Sequence, residues 1–138
     1  MGFRTVAHEV ANNWNRILAN NCQNQNMKKK FVLPYIQVYE FEGLLFSNPD
    51  AFKCVRDGWN QQVHEQLMAV RKEFPSPEDI NGGRQSAPSK RILSIFGPGN
   101  YSKVVHGPLI AETIGIDARR RESPRFNAWI EKIAAWGK

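Results

Sequence analysis

The run Phe31-Val32-Leu33-Pro34-Tyr35-Ile36-Gln37-Val38-Tyr39-Glu40-Phe41-Glu42-Gly43-Leu44-Leu45-Phe46 constrains the chain more than any other stretch. Its apolar content predicts a buried strand over about 31–39, ending in two carboxylates and passing at once into an apolar helix over 40–46. In open α/β sheets, ligand chemistry gathers at the carboxyl ends of strands. Acidic side chains at such a place suit a hard cation such as Mg²⁺. Pro34 pulls against a central strand, because it cannot donate a ladder hydrogen bond and marks an edge or a bulge. A strand edge left open favours a homodimer formed by strand addition.

The remaining chain is punctuated as helices. Val6, Val10, Trp14, Ile17 and Leu18 share one face of a helix expected over 5–20. Pro49 suits a first helical position after the turn at Ser47-Asn48. Trp59, Val63, Leu67 and Val70 form the stripe of a helix over 58–73. Ser76-Pro77-Glu78-Asp79 is a short helix start, with cap, proline and acids at the positive end of the dipole. A further helix opens at Ala87-Pro88-Ser89 and stops at Gly97-Pro98-Gly99, and another runs from Pro108 to Ile114 and closes at Gly115. Ser123-Pro124 starts the last, with Phe126, Trp129, Ile130, Ile133 and Ala134 expected inward. The expected fold is therefore α/β and helix-rich, a single domain over 1–138 with about seven helical segments and one confident strand.

Composition narrows the function classes. No run approaches the roughly 20 apolar residues of a membrane helix, and Met1-Gly2-Phe3-Arg4-Thr5 has no signal-peptide core. A cytoplasmic protein with no membrane partner is expected, and Cys22 and Cys54 are read as free thiols. The net charge of +6 is clustered in Lys28-Lys29-Lys30, in Arg84, Lys90 and Arg91, and in Arg119-Arg120-Arg121 with Arg125. Such clusters are compatible with nucleic acid as a partner.

Seven short motifs then stand in order: Pro34-Tyr35-Ile36-Gln37, Glu40-Phe41-Glu42-Gly43-Leu44-Leu45-Phe46-Ser47, Pro49-Asp50-Ala51-Phe52, Ser76-Pro77-Glu78-Asp79-Ile80-Asn81, Ala87-Pro88-Ser89-Lys90-Arg91, Gly107-Pro108-Leu109-Ile110-Ala111-Glu112 and Phe126-Asn127-Ala128-Trp129. Over roughly residues 31–136 this set resembles the C-terminal part of the bacterial family called domain of unknown function 4276. That family looks Toprim-like, akin to nucleases of the overcoming-lysogenisation-defect group, and is often encoded near ATPases and linked to phage defence. The resemblance implies a Mg²⁺-dependent nuclease component working with an ATPase partner protein. Where the family usually reads His-Glu-Phe-Glu-Ala, this chain has Tyr39 and Gly43 at the two ends. Residues 1–30 show neither the strand ending in Glu-Gly nor the later strand Asp of the family, so a truncated Toprim-like domain or a diverged member is expected.

The candidate residues each carry two readings. Glu40 and Glu42 are metal ligands for phosphodiester cleavage, or acids favoured by a helix dipole. Residues two apart on a helix face apart, so Glu40, at the strand tip, is preferred if one carboxylate binds alone. Lys90, beside the amides of a helix start, is the candidate catalytic cation that the resemblance implies, or a solvated lysine. Lys90, Arg91, Arg119, Arg120 and Arg121 are candidate phosphate contacts, or a solvated face. Glu78 and Asp79 read best as helix-start acids, and His8, His64 and His106 share no ligand spacing. The alternative to a nuclease is a non-catalytic basic module for nucleic-acid binding or assembly.

Overall fold

Proline and asparagine decide where most elements of this chain begin. In the computed structural model the described residues are 12, 13, 16, 33–35, 37, 40–80 and 86–136. The chain divides into two compact units, Met1–Ile36 with Glu131–Lys138, and Gln37–Ile130. In the first unit, Asn12, Asn13 and Arg16 are helical and exposed, and the rest of the helix expected over 5–20 lies outside the described residues.

The second unit opens with two seven-residue 3₁₀ helices, Phe41–Ser47 and Pro49–Val55. Runs of this length are unusual for 3₁₀ geometry. Here Glu42 to Ser47 are all buried, so packing on every side holds the segment. Asn48 accepts from the Asp50 N–H at 3.1 Å and caps the second run. Helix α1 (Gln61–Glu73) starts where the Asn60 side chain accepts from the Val63 N–H at 2.9 Å, three residues later than the sequence pattern suggests. A short 3₁₀ turn, Pro77–Asp79, is capped by Ser76. Helices α2 (Pro88–Phe96), α3 (Lys103–Glu122) and α4 (Pro124–Ala135) complete the order.

Leu45, Phe46, Phe52, Leu67, Ile80, Ile92 and Ile110 form the fully buried centre. A chain of rings runs outward from it. Phe46 lies 5.8 Å from Phe52, Phe52 6.1 Å from Phe96, Phe96 6.0 Å from Tyr101, and Tyr101 5.8 Å from His106. These separations are favourable for aromatic pairs. They couple the core to the start of α3.

Two expectations are corrected. The described part is helix-rich, but the α/β fold is not borne out: no strand occurs among the described residues. Leu33, Pro34, Tyr35 and Gln37 have no regular secondary structure. Pro34 has no N–H to give a ladder. Phe31, Val32, Ile36, Val38 and Tyr39 lie outside them. The second correction concerns α3, which begins at Lys103 rather than Pro108. A proline inside a helix forfeits the bond to the carbonyl four residues back. That residue is Val104, 84% exposed, so water can take the freed carbonyl. Gly115 interrupts α3 as expected, with φ 76° and ψ 168°. The described residues contain no helix long and apolar enough to cross a membrane.

Candidate functional site

Glu40 stands just before the first 3₁₀ helix in extended backbone, φ −140° and ψ 151°. Its carbonyl accepts from the Gly43 N–H at 3.0 Å, which starts the turn. The carboxylate reaches elsewhere: Oε2 accepts from the Ser89 N–H at 2.8 Å. Ser89 lies in the first turn of α2, whose own cap residue, Ala87, offers no side-chain acceptor. Glu40 thus supplies from a distance the anion that a helix N-terminus favours.

Glu42 lies two residues further on and is only 1% exposed. A buried carboxylate requires a counter-charge. Lys103 provides it, with Nζ 2.7 Å from Oε1. At this distance the two groups form an ion pair. Oε2 of Glu42 meets no donor among the described residues.

Both carboxylates act on the same two neighbours. The Tyr101 phenol is pushed up from 10.0 to about 12, by burial first and then by the charges of Glu42 and Glu40. The Lys103 ammonium is raised above 10.5, chiefly through its contact with Glu42, with Glu40 adding in the same sense. The charges of both acids are therefore felt at Tyr101 and Lys103, although their direct contacts differ: Ser89 for Glu40 and Lys103 for Glu42. Glu40 escapes the helical rule because its backbone is extended, while Glu42 is already in the turn. Tyr101 is buried and its hydroxyl has no partner among the described residues. Beside it, His106 Nδ1 accepts from the Ser102 N–H at 2.9 Å, which leaves the ring proton for Nε2.

The other sequence candidates are placed as follows. Lys90 is exposed and next to Ser89, with no ion pair among the described residues. Arg91 is engaged internally: Nη1 meets Glu73 Oε2 at 3.1 Å, Nε donates to the Ser86 carbonyl at 2.9 Å, and the guanidinium lies over the Phe74 ring. Arg119 donates to the Gly115 carbonyl at 3.0 Å and lies over Phe126. Arg120 donates to Asn127 Oδ1 at 2.7 Å. Arg121 is largely solvated, 3.8 Å from Glu122. Glu78 and Asp79 serve helix α4, as described below. His64 Nε2 lies 2.7 Å from Asp50 Oδ1. His8 and Cys22 lie outside the described residues, and Cys54 is a free thiol.

Sequence reasoning missed Tyr101 and Lys103. One signal was present. A lysine in the first turn of a helix sits at the wrong end of the dipole unless a carboxylate holds it. With the helix start placed at Pro108, that anomaly was hidden.

Among the described residues no group of three or more His, Cys, Asp or Glu stands together to hold a metal ion. Mg²⁺ needs fewer: it keeps several waters and is bound through one or two carboxylates plus substrate phosphates. Glu40 and Glu42, with an orphaned Oε2, fit that partial donor set.

A family model described as Domain of unknown function (DUF4276) matches residues 3–134. The match begins well before the motif set at 31–136 and so takes in most of the N-terminal stretch. No curated protein and no solved structure matches the chain.

Proposed function

The chain belongs to the Domain of unknown function (DUF4276) family, and on that premise we propose that it is a Toprim-like, Mg²⁺-dependent nuclease component. Glu40 and Glu42 would hold the metal, and Lys90, beside the α2 amides, would meet phosphate. Arg121 is a further solvated cation for a polyanion. The ordered motifs are what support an ATPase partner and a role in phage defence. The bound metal would supply Lewis-acid polarisation of a phosphodiester and a more acidic water. The chain's own contribution is positional. Glu42 is fixed by burial, and Glu40 is fixed by its bond to Ser89. The neutral Tyr101 hydroxyl is left available as a donor beside both.

The observation that carries this reading is the Glu42 Oε2: a buried carboxylate oxygen with no donor among the described residues. The test is calorimetric titration of the full chain with Mn²⁺ and Mg²⁺, followed by cleavage assays on DNA and RNA, with Glu42→Gln as the control. Metal binding and cleavage that both vanish in Glu42→Gln are expected. A chain that binds neither ion overturns the reading.

One observation favours the alternative, a non-catalytic basic module. Glu40 caps a helix and Glu42 pairs with a lysine, so each carboxylate already has a structural task. Metal-independent nucleic-acid binding, lost on Lys90→Ala with Arg121→Ala, would be its signature.

A further inference from the structure

Lys103 presents an unusual pairing of exposures. Its carboxylate partner is 1% exposed, whereas the lysine itself is 61% exposed. The ammonium enters the site from solvent along a flexible stem, and no second carboxylate contact holds it among the described residues. What it leaves behind is incomplete. Among the described residues Glu42 Oε2 has no donor, and the Tyr101 hydroxyl, 5% exposed, has no partner; the charge of Glu40 also reaches Lys103. The buried Glu42 carboxylate thus has a ligand position that an ammonium held at Oε1 does not fill. A hydrated divalent cation meets that need: it brings more positive charge to a buried carboxylate than an ammonium does, and it fills its remaining positions with water.

We infer that Lys103 is a stand-in cation, holding the divalent-ion position against Glu42 in the metal-free chain and swinging into solvent when the ion arrives. The inference rests on the metal reading above and adds a competitor to it. Lys103 keeps the empty site folded by compensating a buried charge. It also sets the affinity, because every binding event must first break the Lys103–Glu42 pair. The displacement is sterically open, since Lys103 is the first residue of α3 and its neighbours Ser102 and Val104 are exposed.

The experiment is Mn²⁺ titration by calorimetry on the full chain and on Lys103→Met, Lys103→Arg and Glu42→Gln, with circular dichroism as a check on folding. Lys103→Met should bind Mn²⁺ about tenfold more tightly than the unsubstituted chain, and in the metal-free state should melt lower, recovering when Mn²⁺ is added. Lys103→Arg guards against a Met variant that fails to fold. Its fork can grip the carboxylate with two bonds, so it should bind Mn²⁺ more weakly. Unchanged affinity in both variants, with binding intact in the unsubstituted chain, overturns the stand-in role and leaves the metal reading standing. No binding in any variant overturns both.

Discussion

Glu78 Oε1 accepts a hydrogen bond from the Phe126 N–H at 2.7 Å, 48 residues further along the chain. Its Oε2 accepts from the Arg125 N–H at 2.9 Å, and the Arg125 guanidinium returns a bond to the Glu78 carbonyl at 2.8 Å. A side chain that is 1% exposed therefore caps the first turn of α4 from outside. Replacing it removes the acceptor of the Arg125 and Phe126 amides, while the Arg125 guanidinium keeps Asp79. Glu78→Ala should cost about 3 kcal/mol in urea denaturation. Asp79, 38% exposed and bound to Arg125 at 3.1 Å, should cost under about 1 kcal/mol as Asp79→Ala. Equal losses at the two positions would refute remote capping as the role of Glu78.

Glu40 repeats this device at α2, and its two proposed roles separate by substitution. Glu40→Gln keeps an oxygen that can accept from the Ser89 N–H, so stability should change little. Glu40→Ala removes the cap and should cost about 1 kcal/mol. Divalent-ion binding, if the carboxylate is a ligand, should fall in both. A Gln variant that loses stability as heavily as the Ala variant would show that charge, not the cap bond, is what α2 requires.

These two residues also show what the sequence makes legible. Local punctuation is readable: Gly97 ends α2 with its N–H on the Leu93 carbonyl at 3.0 Å, and Ser76-Pro77 and Ser123-Pro124 stand at the turns they suggest. The stripe of Val63 and Leu67 is buried as its spacing implies. Glu78 was readable as an acid at a helix start, but not as the cap of a helix 48 residues away, because no spacing rule spans a tertiary contact. For the same reason Glu40 and Glu42 were picked out as a pair while Lys103 and Tyr101 were not. The strand expected over 31–39 is a different case: five of its residues lie outside the described ones, and Leu33, Pro34, Tyr35 and Gln37 have no regular secondary structure. An apolar run bounded by turns reads alike for a strand and for an irregular segment, and Pro34 is the residue within it that argues against a ladder.

Gly115 should be costly to replace even though nothing crowds it. Its φ of 76° and ψ of 168° fall in a region essentially restricted to glycine, and a Cβ there would meet no atom within 4 Å. Gly115→Ala should therefore destabilise by about 2 kcal/mol through backbone strain alone. Loss of the Arg119 bond to the Gly115 carbonyl should accompany any straightening of α3. Chemical denaturation checks the first point. A variant as stable as the parent would mean that α3 can run straight through this position without loss.

Tyr101 and Lys103 together fix how stability responds to alkali. The Tyr101 phenol stands at about 12 in the folded chain against 10.0 ordinarily, so between those values the unfolded chain loses the proton first and stability falls as pH rises. The Lys103 ammonium, raised above 10.5, contributes stability that is complete below that value and is lost as pH climbs through its folded value. Both act in the same direction, and neither contributes a slope near neutrality. Tyr101→Phe should remove the phenol's share of the alkaline slope. At pH 7 it should also hold or gain stability, by up to about 1 kcal/mol, because the hydroxyl it deletes is buried without a partner. Melting curves from pH 7 to 11.5 on the parent and Tyr101→Phe read both effects. A variant clearly less stable at pH 7 would show that the hydroxyl has a bound partner in solution, as a hydrated ion between Glu42 and Tyr101 would provide.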